Sequence, residues 1–173
     1  MKVIFLDIDG VLNNEVYSKQ KYDEWEKLGR PQRKRFDENS DNFDPRCMEL
    51  LNELITSTGA EVVISSAWRS GHTKEELQVL FEQYGFKHKI LDYTPRMGHA
   101  ATVRGNEIKW WIHENKELIG PDYWRWYDYV ILDDDSDMLL EQRNNFLCIN
   151  GYMGLTPKDI YKAEFILNGR KEK

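Results

Sequence analysis

Two short apolar runs that empty directly into carboxylates constrain this chain more than any other feature. Val3-Ile4-Phe5-Leu6 meets Asp7-Ile8-Asp9-Gly10, and Tyr129-Val130-Ile131-Leu132 meets Asp133-Asp134-Asp135. Uninterrupted apolar runs of this length suit strands buried on both faces, the usual environment of a parallel sheet. Charged groups cannot follow them into such a core, so the carboxylates belong at the strand ends, where the chain meets water. A third run of this kind, Glu61-Val62-Val63-Ile64-Ser65, ends in Ser65-Ser66. His88 to Leu91 and Phe146 to Ile149 complete five predicted strands.

Helical signals fill the gaps. Asp44-Pro45 reads as an N-cap with proline in the first turn, followed by Met48, Leu51, Leu54 and Ile55 at helical spacing and Gly59 as a stop. Thr73-x-x-Glu76 is a capping box ahead of Leu77, Leu80, Phe81 and Tyr84, and Gly85 closes that helix. Ile108, Trp111 and Ile112 mark another, and Thr156-Pro157-Lys158-Asp159 caps a last one carrying Ile160, Ala163, Ile166 and Leu167. Strands alternating with helices imply βαβ units covered on both faces. Residues 13 to 43 have no long apolar period and are expected to form a small insertion over one end of a single domain spanning residues 1–173.

Composition narrows the function classes. No apolar run approaches the ~20 residues a membrane span needs, and because the first residues run straight into a strand, no secretory leader is expected. Two cysteines, Cys47 and Cys148, without a Cys-x-x-Cys or Cys/His cluster, exclude a disulfide scaffold or structural zinc site and read as buried apolar filler. A cytoplasmic location is the expectation. The formal charge of −6 argues against coating of nucleic acid by bulk electrostatics, though not against recognition of a phosphate end. Arg30-Pro31-Gln32-Arg33-Lys34-Arg35 is the one basic concentration, a solvated loop or a phosphate-steering patch.

If the first, second and fourth strands are parallel neighbours, their ends converge on one crevice, where ligands of open α/β sheets bind. Carboxylates gathered there repel one another unless a cation sits among them. Oxygen donors without Cys or His favour a hard ion, Mg²⁺ first. The alternative, that these Asp residues are caps and turn formers, would have to hold twice, behind two pure apolar strands. Residues two apart in extended chain point the same way, and a turn at Gly10 would bring Asp9 over Asp7. Asp7 can then attack phosphorus, while Asp9 protonates the leaving oxygen and later deprotonates water.

Phe5-Leu6-Asp7-Ile8-Asp9-Gly10-Val11-Leu12 resembles the first motif of the haloacid dehalogenase (HAD) superfamily of phosphohydrolases. Val62-Val63-Ile64-Ser65 is similar to its second motif and Val130-Ile131-Leu132-Asp133-Asp134 to its fourth. Ser65-Ser66-Ala67-Trp68-Arg69 and Arg104-Gly105-Asn106-Glu107-Ile108 resemble HAD domains of RNA repair proteins and, more loosely, the phosphatase half of polynucleotide kinase-phosphatases. The resemblance implies a Rossmann-like α/β fold, five parallel strands in the order 5-4-1-2-3, and a small cap insertion. It implies Asp7 as nucleophile and Mg²⁺ ligand, and Asp9 as general acid/base binding metal through its carbonyl. Ser65, with Ser66 as fallback, would hold the phosphoryl group, and Asp133 and Asp134 would complete the metal shell. For the third-motif cation Arg104 is preferred over Lys109, although the superfamily more often uses Lys there. Gly10 and Arg69 are further substrate-side candidates, Arg69 otherwise being an ion-pair partner. Asp137 either supports the acidic loop or, preferably, caps a following helix.

The resulting expectation is a Mg²⁺-dependent phosphomonoesterase working through a phospho-aspartate, on a nucleotide or a terminal phosphate of RNA or DNA. Neither insertion is large enough for an independent lid, which suits a bulky substrate. Tyr17, Tyr22, Trp25 and Phe36 could stack on bases beside Arg33 and Arg35, but packing against the core is the preferred reading, as it is for Trp110, Trp111, Trp124 and Trp126. The alternatives are a small-metabolite phosphatase or 5′-nucleotidase, and a non-catalytic metal- or partner-binding module. A receiver-like domain belongs to the last class, with Asp92 ending the third strand as its acceptor.

Overall fold

The computed structural model describes residues 1–29, 43–98, 102–119 and 128–169. Five strands, β1 (Val3–Leu6), β2 (Glu61–Ile64), β3 (Ile90–Tyr93), β4 (Tyr129–Asp133) and β5 (Phe146–Cys148), form one all-parallel sheet in the order β3-β2-β1-β4-β5. Read from its other edge this is the expected 5-4-1-2-3, with the first strand at the centre. The helices are α1 (Glu15–Lys27), α2 (Pro45–Thr58), α3 (Lys74–Gln83), α4 (Arg104–Glu114), α5 (Lys116–Ile119) and α6 (Pro157–Leu167).

Alternation along each strand splits the core in two. Ile4, Leu6, Val62, Ile64, Val130 and Leu132 face the apolar stripes of α2, α3 and α6. Val3, Phe5, Val63 and Ile131 face Ile108, Trp111 and Ile112 of α4 and Ile119 of α5. Both layers are buried and apolar, which is why the strands carry no polar alternation. Across the second layer Phe5 meets Trp111 edge to face at 5.4 Å. The Trp111 indole N–H also donates to Asp92 at 2.7 Å, tying the edge strand β3 to α4. That bond commits Asp92 to structure, away from the acidic strand ends.

Local punctuation follows the sequence closely. Asp44 accepts from the Arg46 N–H ahead of α2, which Gly59 ends in the left-handed conformation. Thr73 and Glu76 form their reciprocal capping box. At α6 the Asp159 carboxylate accepts from both the N–H and the hydroxyl of Thr156.

Several expectations are corrected. The third strand lies two residues later than predicted, because Gln78 accepts from the Ile90 N–H while the β2–β3 register slips between Val62 and Val63. The polar stretch after β1 contains α1, capped by the Asn14 side chain. Tyr17 is the helix's buried residue, so no apolar period was there to read. Residues 30–42, with the basic run and Phe36, lie outside the described residues, as do Trp124 and Trp126. Tyr22 is exposed and lies 5.6 Å from Trp25, and Trp110 is exposed rather than packed. Cys47 is buried but Cys148 is exposed, since β5 is an edge strand paired only to β4. No helix among the described residues is long and apolar enough to cross a membrane.

The first turn of α4 bears on the site. A Cβ at Gly105 would lie 2.6 Å from both the Leu139 backbone nitrogen and Gln142 Oε1. Gln142 in turn bonds the Gly105 carbonyl and the Leu139 N–H at 2.8 Å each, so the loop cannot back away cheaply. Alanine is worth about 1 kcal/mol more than glycine inside a helix, but overpacking costs about 1–3 kcal/mol. We expect Gly105→Ala to lower the thermal midpoint; a rise would show that the loop yields.

Candidate active site

The sheet register delivers the site. Leu6 pairs with Ile64 on one side and Leu132 on the other, so Asp7, Ser65 and Asp133 emerge side by side. The ladder continues one step past the strand, with Asp7 N–H to the Leu132 carbonyl and Ser65 N–H to the Leu6 carbonyl, both 2.9 Å. After Asp9 the chain turns back, with the Leu12 N–H on the Ile8 carbonyl at 2.9 Å. Gly10 sits in the left-handed region at φ 71°, and a methyl there would collide with the Asp134 carboxylate. Gly151 approaches the same carboxylate from the β5–α6 loop. Glycine is therefore required at position 10 for conformation and for space.

Asp7 and Asp133 are buried and Asp134 is exposed, yet each offers a carboxylate oxygen within 4.8 Å of the others. Arg104 reaches in from the start of α4, its Nη1 3.0 Å from Asp7 Oδ1 and its Nε 3.1 Å from Asp133 Oδ2. The second contact lacks hydrogen-bond alignment and is ionic only. One guanidinium does not neutralise the cluster. Burial raises the Asp7 carboxyl above its ordinary range, although Arg104 and a hydrogen bond from Ser66 pull the other way. Burial, with the Asp7 charge beside it, pushes Asp133 up to about 7, and burial also raises Asp134. A set of hard oxygen donors that destabilise one another as anions fits a divalent cation of the Mg²⁺ type.

Arg104 stands at the first position of α4, where a cation opposes the helix dipole. Asp137 offsets this locally, its carboxylate accepting from the Arg104 N–H at 2.8 Å and its carbonyl from the Gly105 N–H at 3.3 Å. Asp137 thus holds the start of a preceding helix, not a following one as expected. Its bond explains how an arginine can be presented to Asp7 and Asp133 from a helix N-terminus.

The other predicted residues divide. Ser66 touches Asp7 through its hydroxyl, whereas the Ser65 hydroxyl is buried without a hydrogen-bond partner. Ser65 contributes its carbonyl instead, which accepts from both Arg104 and Arg69. Arg69 also donates to the Ser66 carbonyl and pairs with Glu107 of α4, both side chains almost fully covered. Its guanidinium is spent on bracing the loop after β2. Lys109 lies apart from the cluster, exposed and paired with Glu141 at 2.8 Å. Asp9 is exposed, its oxygens accepting from Asn13 and Trp68.

Sequence reading assigned no role to Asn13, Trp68 or Glu107. Asn13, four residues after Asp9 behind a glycine turn, carries a local signal, since its side chain also accepts from the Gly10 N–H at 2.9 Å. Trp68 and Glu107 carry none, because their partners are 59 and 38 residues away.

A five-stranded parallel sheet with Asp-x-Asp behind its central strand, paired serines behind a neighbour and an acidic loop behind the other is the HAD arrangement. The chain matches, over residues 3–160, the family described as the HAD domain in Swiss Army Knife RNA repair proteins, and it belongs to that family. The family implies a hydrolase of the phosphatase type, and HAD domains generally use Mg²⁺. No significant match is found among curated proteins or among solved structures.

The crowding has a measurable consequence. Asp133 binds its proton more tightly folded, at about 7, than at its ordinary 3.8, so its stabilising contribution is full below the lower value and lost as pH rises through the higher. Each tenfold change in proton affinity is worth about 1.4 kcal/mol. With chelator present, the thermal midpoint should fall between about pH 4 and pH 7 more steeply in the wild type than in Asp133→Asn, and Mg²⁺ should flatten the wild-type curve. Equal slopes for the two proteins would refute the crowding.

Proposed function

We propose that this chain is a Mg²⁺-dependent phosphomonoester hydrolase that works through a phospho-aspartate on Asp7, acting on the terminal phosphate of RNA or DNA or on a nucleotide. The observation that carries the reading is the Asp7 carboxylate, 3.0 Å from Arg104 and clustered with Asp133 and Asp134. No other trio of potential metal ligands clusters this way among the described residues.

In this reading Asp7 Oδ attacks phosphorus, and the bond to the leaving oxygen breaks as the new O–P bond forms. Asp9 gives its proton to the leaving oxygen, then takes one from the water that hydrolyses the acyl phosphate. Arg104 offsets charge on the phosphoryl oxygens, and a hydroxyl at the end of β2, Ser65 or Ser66, donates to them. Asp7, Asp133, Asp134 and the Asp9 carbonyl would hold Mg²⁺, which when bound neutralises the carboxylates and polarises the phosphoryl group. Arg69 and Lys109 leave the substrate-binding set because both are committed elsewhere.

Room for a bulky leaving group supports the choice of substrate. A cleft of about 550 Å³ opens beside Asp134 between the start of α1 and the β5–α6 loop. Gly10, Asn13, Ser18, Gly151 and Tyr152 are among its walls. Backbone bonds from Glu15 and Val16 to the carbonyls of Gly151 and Tyr152 fasten the two sides together. The half-exposed Tyr152 ring offers a stacking surface for a base, and Ser18 offers a hydrogen bond to a sugar. In this reading α1 is part of a small cap rather than a lid.

Asp7→Asn should fold at least as stably as the wild type, since it relieves repulsion, and should lose at least about 10³-fold in aryl phosphate turnover. Substantial residual activity refutes the nucleophile. With the wild type, kcat/KM should be highest on 3′- or 5′-phosphorylated oligonucleotides or nucleotides. Preference for sugar phosphates would move the assignment to a small-metabolite phosphatase.

A further inference from the structure

An exposed aspartate is ordinarily unconstrained, but both Asp9 carboxylate oxygens accept side-chain hydrogen bonds. Trp68 Nε1 donates to its Oδ2 at 3.0 Å, and Asn13 Nδ2 donates to its Oδ1 at 2.7 Å. Neither contact can be reversed. Indole has a donor and no acceptor, and the Asn13 carbonyl oxygen is already taken by the Gly10 N–H, which leaves only its amide N–H for Asp9. Both donors are themselves anchored. Trp68 lies in the short 3₁₀ turn Ala67–Ser70, packs against the larger core cluster, stacks on His72 at 5.3 Å and meets Phe43 at 5.5 Å. Asn13 follows the Gly10 turn, its N–H on the Ile8 carbonyl.

The geometry points to Trp68 as a positioning residue for the Asp9 carboxyl, with Asn13 as the second hold. This rests on the acid/base role given to Asp9 above. A carboxyl has about four lone-pair directions, and two are used by these donors. When Asp9 carries its proton, the O–H must lie along one of the remaining directions, so the clamp sets where the acid points. As the O–P bond to Asp7 forms, the bond from phosphorus to the leaving oxygen breaks and that oxygen takes the Asp9 proton. The carboxylate left behind is the form to which both neighbours donate. The attacking water then returns a proton to Asp9 while its oxygen bonds phosphorus and the acyl phosphate opens. Trp68 therefore contributes most when the leaving group needs protonation and least when it departs readily as an anion.

The test is kcat/KM across substituted phenyl phosphates of graded leaving-group acidity, with Mg²⁺ and the full chain, since kcat/KM reports the step in which the leaving group departs. Trp68→Phe keeps a ring between Phe43 and His72 and removes the N–H. It should lose roughly 10-fold on the least acidic phenols and much less on p-nitrophenyl phosphate, steepening the dependence on leaving group, with the Mg²⁺ half-saturation unchanged. Asn13→Ala, which leaves the aromatic cluster intact, should steepen it too, and it serves if Trp68→Phe folds poorly. A parallel loss across the series in both variants, or none, overturns the positioning role. Asp9→Asn separates the two claims: it should show the steepest dependence, and a flat profile there would overturn the acid/base reading itself.

Discussion

Charge crowding at the carboxyl edge of the sheet is the constraint to which the rest of this molecule answers. Asp7 and Asp133 are buried beside each other, with Asp134 completing the cluster, and Arg104 bridges the first two without balancing all three. A folded chain can tolerate that only by protonating a carboxylate or by gaining a cation. The upward displacement of Asp133 is the first response, and the oxygen-only donor set is suited to the second. The stability that this edge sacrifices comes from the two apolar layers beneath it, which run without polar interruption through β1, β2 and β4.

Around the crowded edge lies a frame of buried polar groups with little tolerance for loss. Arg69 gathers the carbonyls of Ser65 and Ser66 and the carboxylate of Glu107, and Glu107 also accepts from the Met97 N–H at 3.3 Å. The loop after β2 is thereby bound to α4, the helix that presents Arg104. Removing one partner of such a pair leaves an uncompensated buried charge, typically costing about 3–5 kcal/mol. The frame contributes specificity of position: Asp137 fixes where α4 begins, and the close approach at Gly105 fixes how near it comes.

Much of this was legible in sequence because the signals are local. Apolar runs identified all five strands, and Asp44, Thr73, Gly59 and Asp159 marked helix ends by chemistry acting over two to four residues. The strand order, and the neighbourhood of Asp7 and Asp133, followed from resemblance to a known motif order rather than from spacing. Sequence carries no signal where the decisive partner is distant. α1 carries no apolar stripe because it buries little more than Tyr17, and β3 starts two residues past its apolar signal because its start depends on Gln78. Cys148 lies on an edge strand and is exposed, a distinction from a central strand that composition does not carry. The sequence favours Arg104 over Lys109 as the cation of the site, and in the structure Arg104 meets Asp7 and Asp133 while Lys109 pairs with Glu141.

The order of residues by itself determined the alternation of strands and helices, the apolar character of the sheet, and the placing of acidic and hydroxyl groups immediately beyond strand ends. Those are consequences of side-chain period and solvation, which act within a few residues. Only the tertiary structure decided which hydroxyl meets Asp7, that Arg69 braces the loop after β2, and that Trp68 and Asn13 each donate to a different Asp9 oxygen. Those outcomes depend on how sheet register and helix approach bring remote atoms to about 3 Å, where directed hydrogen bonds and ion pairs operate. No window of sequence contains that distance.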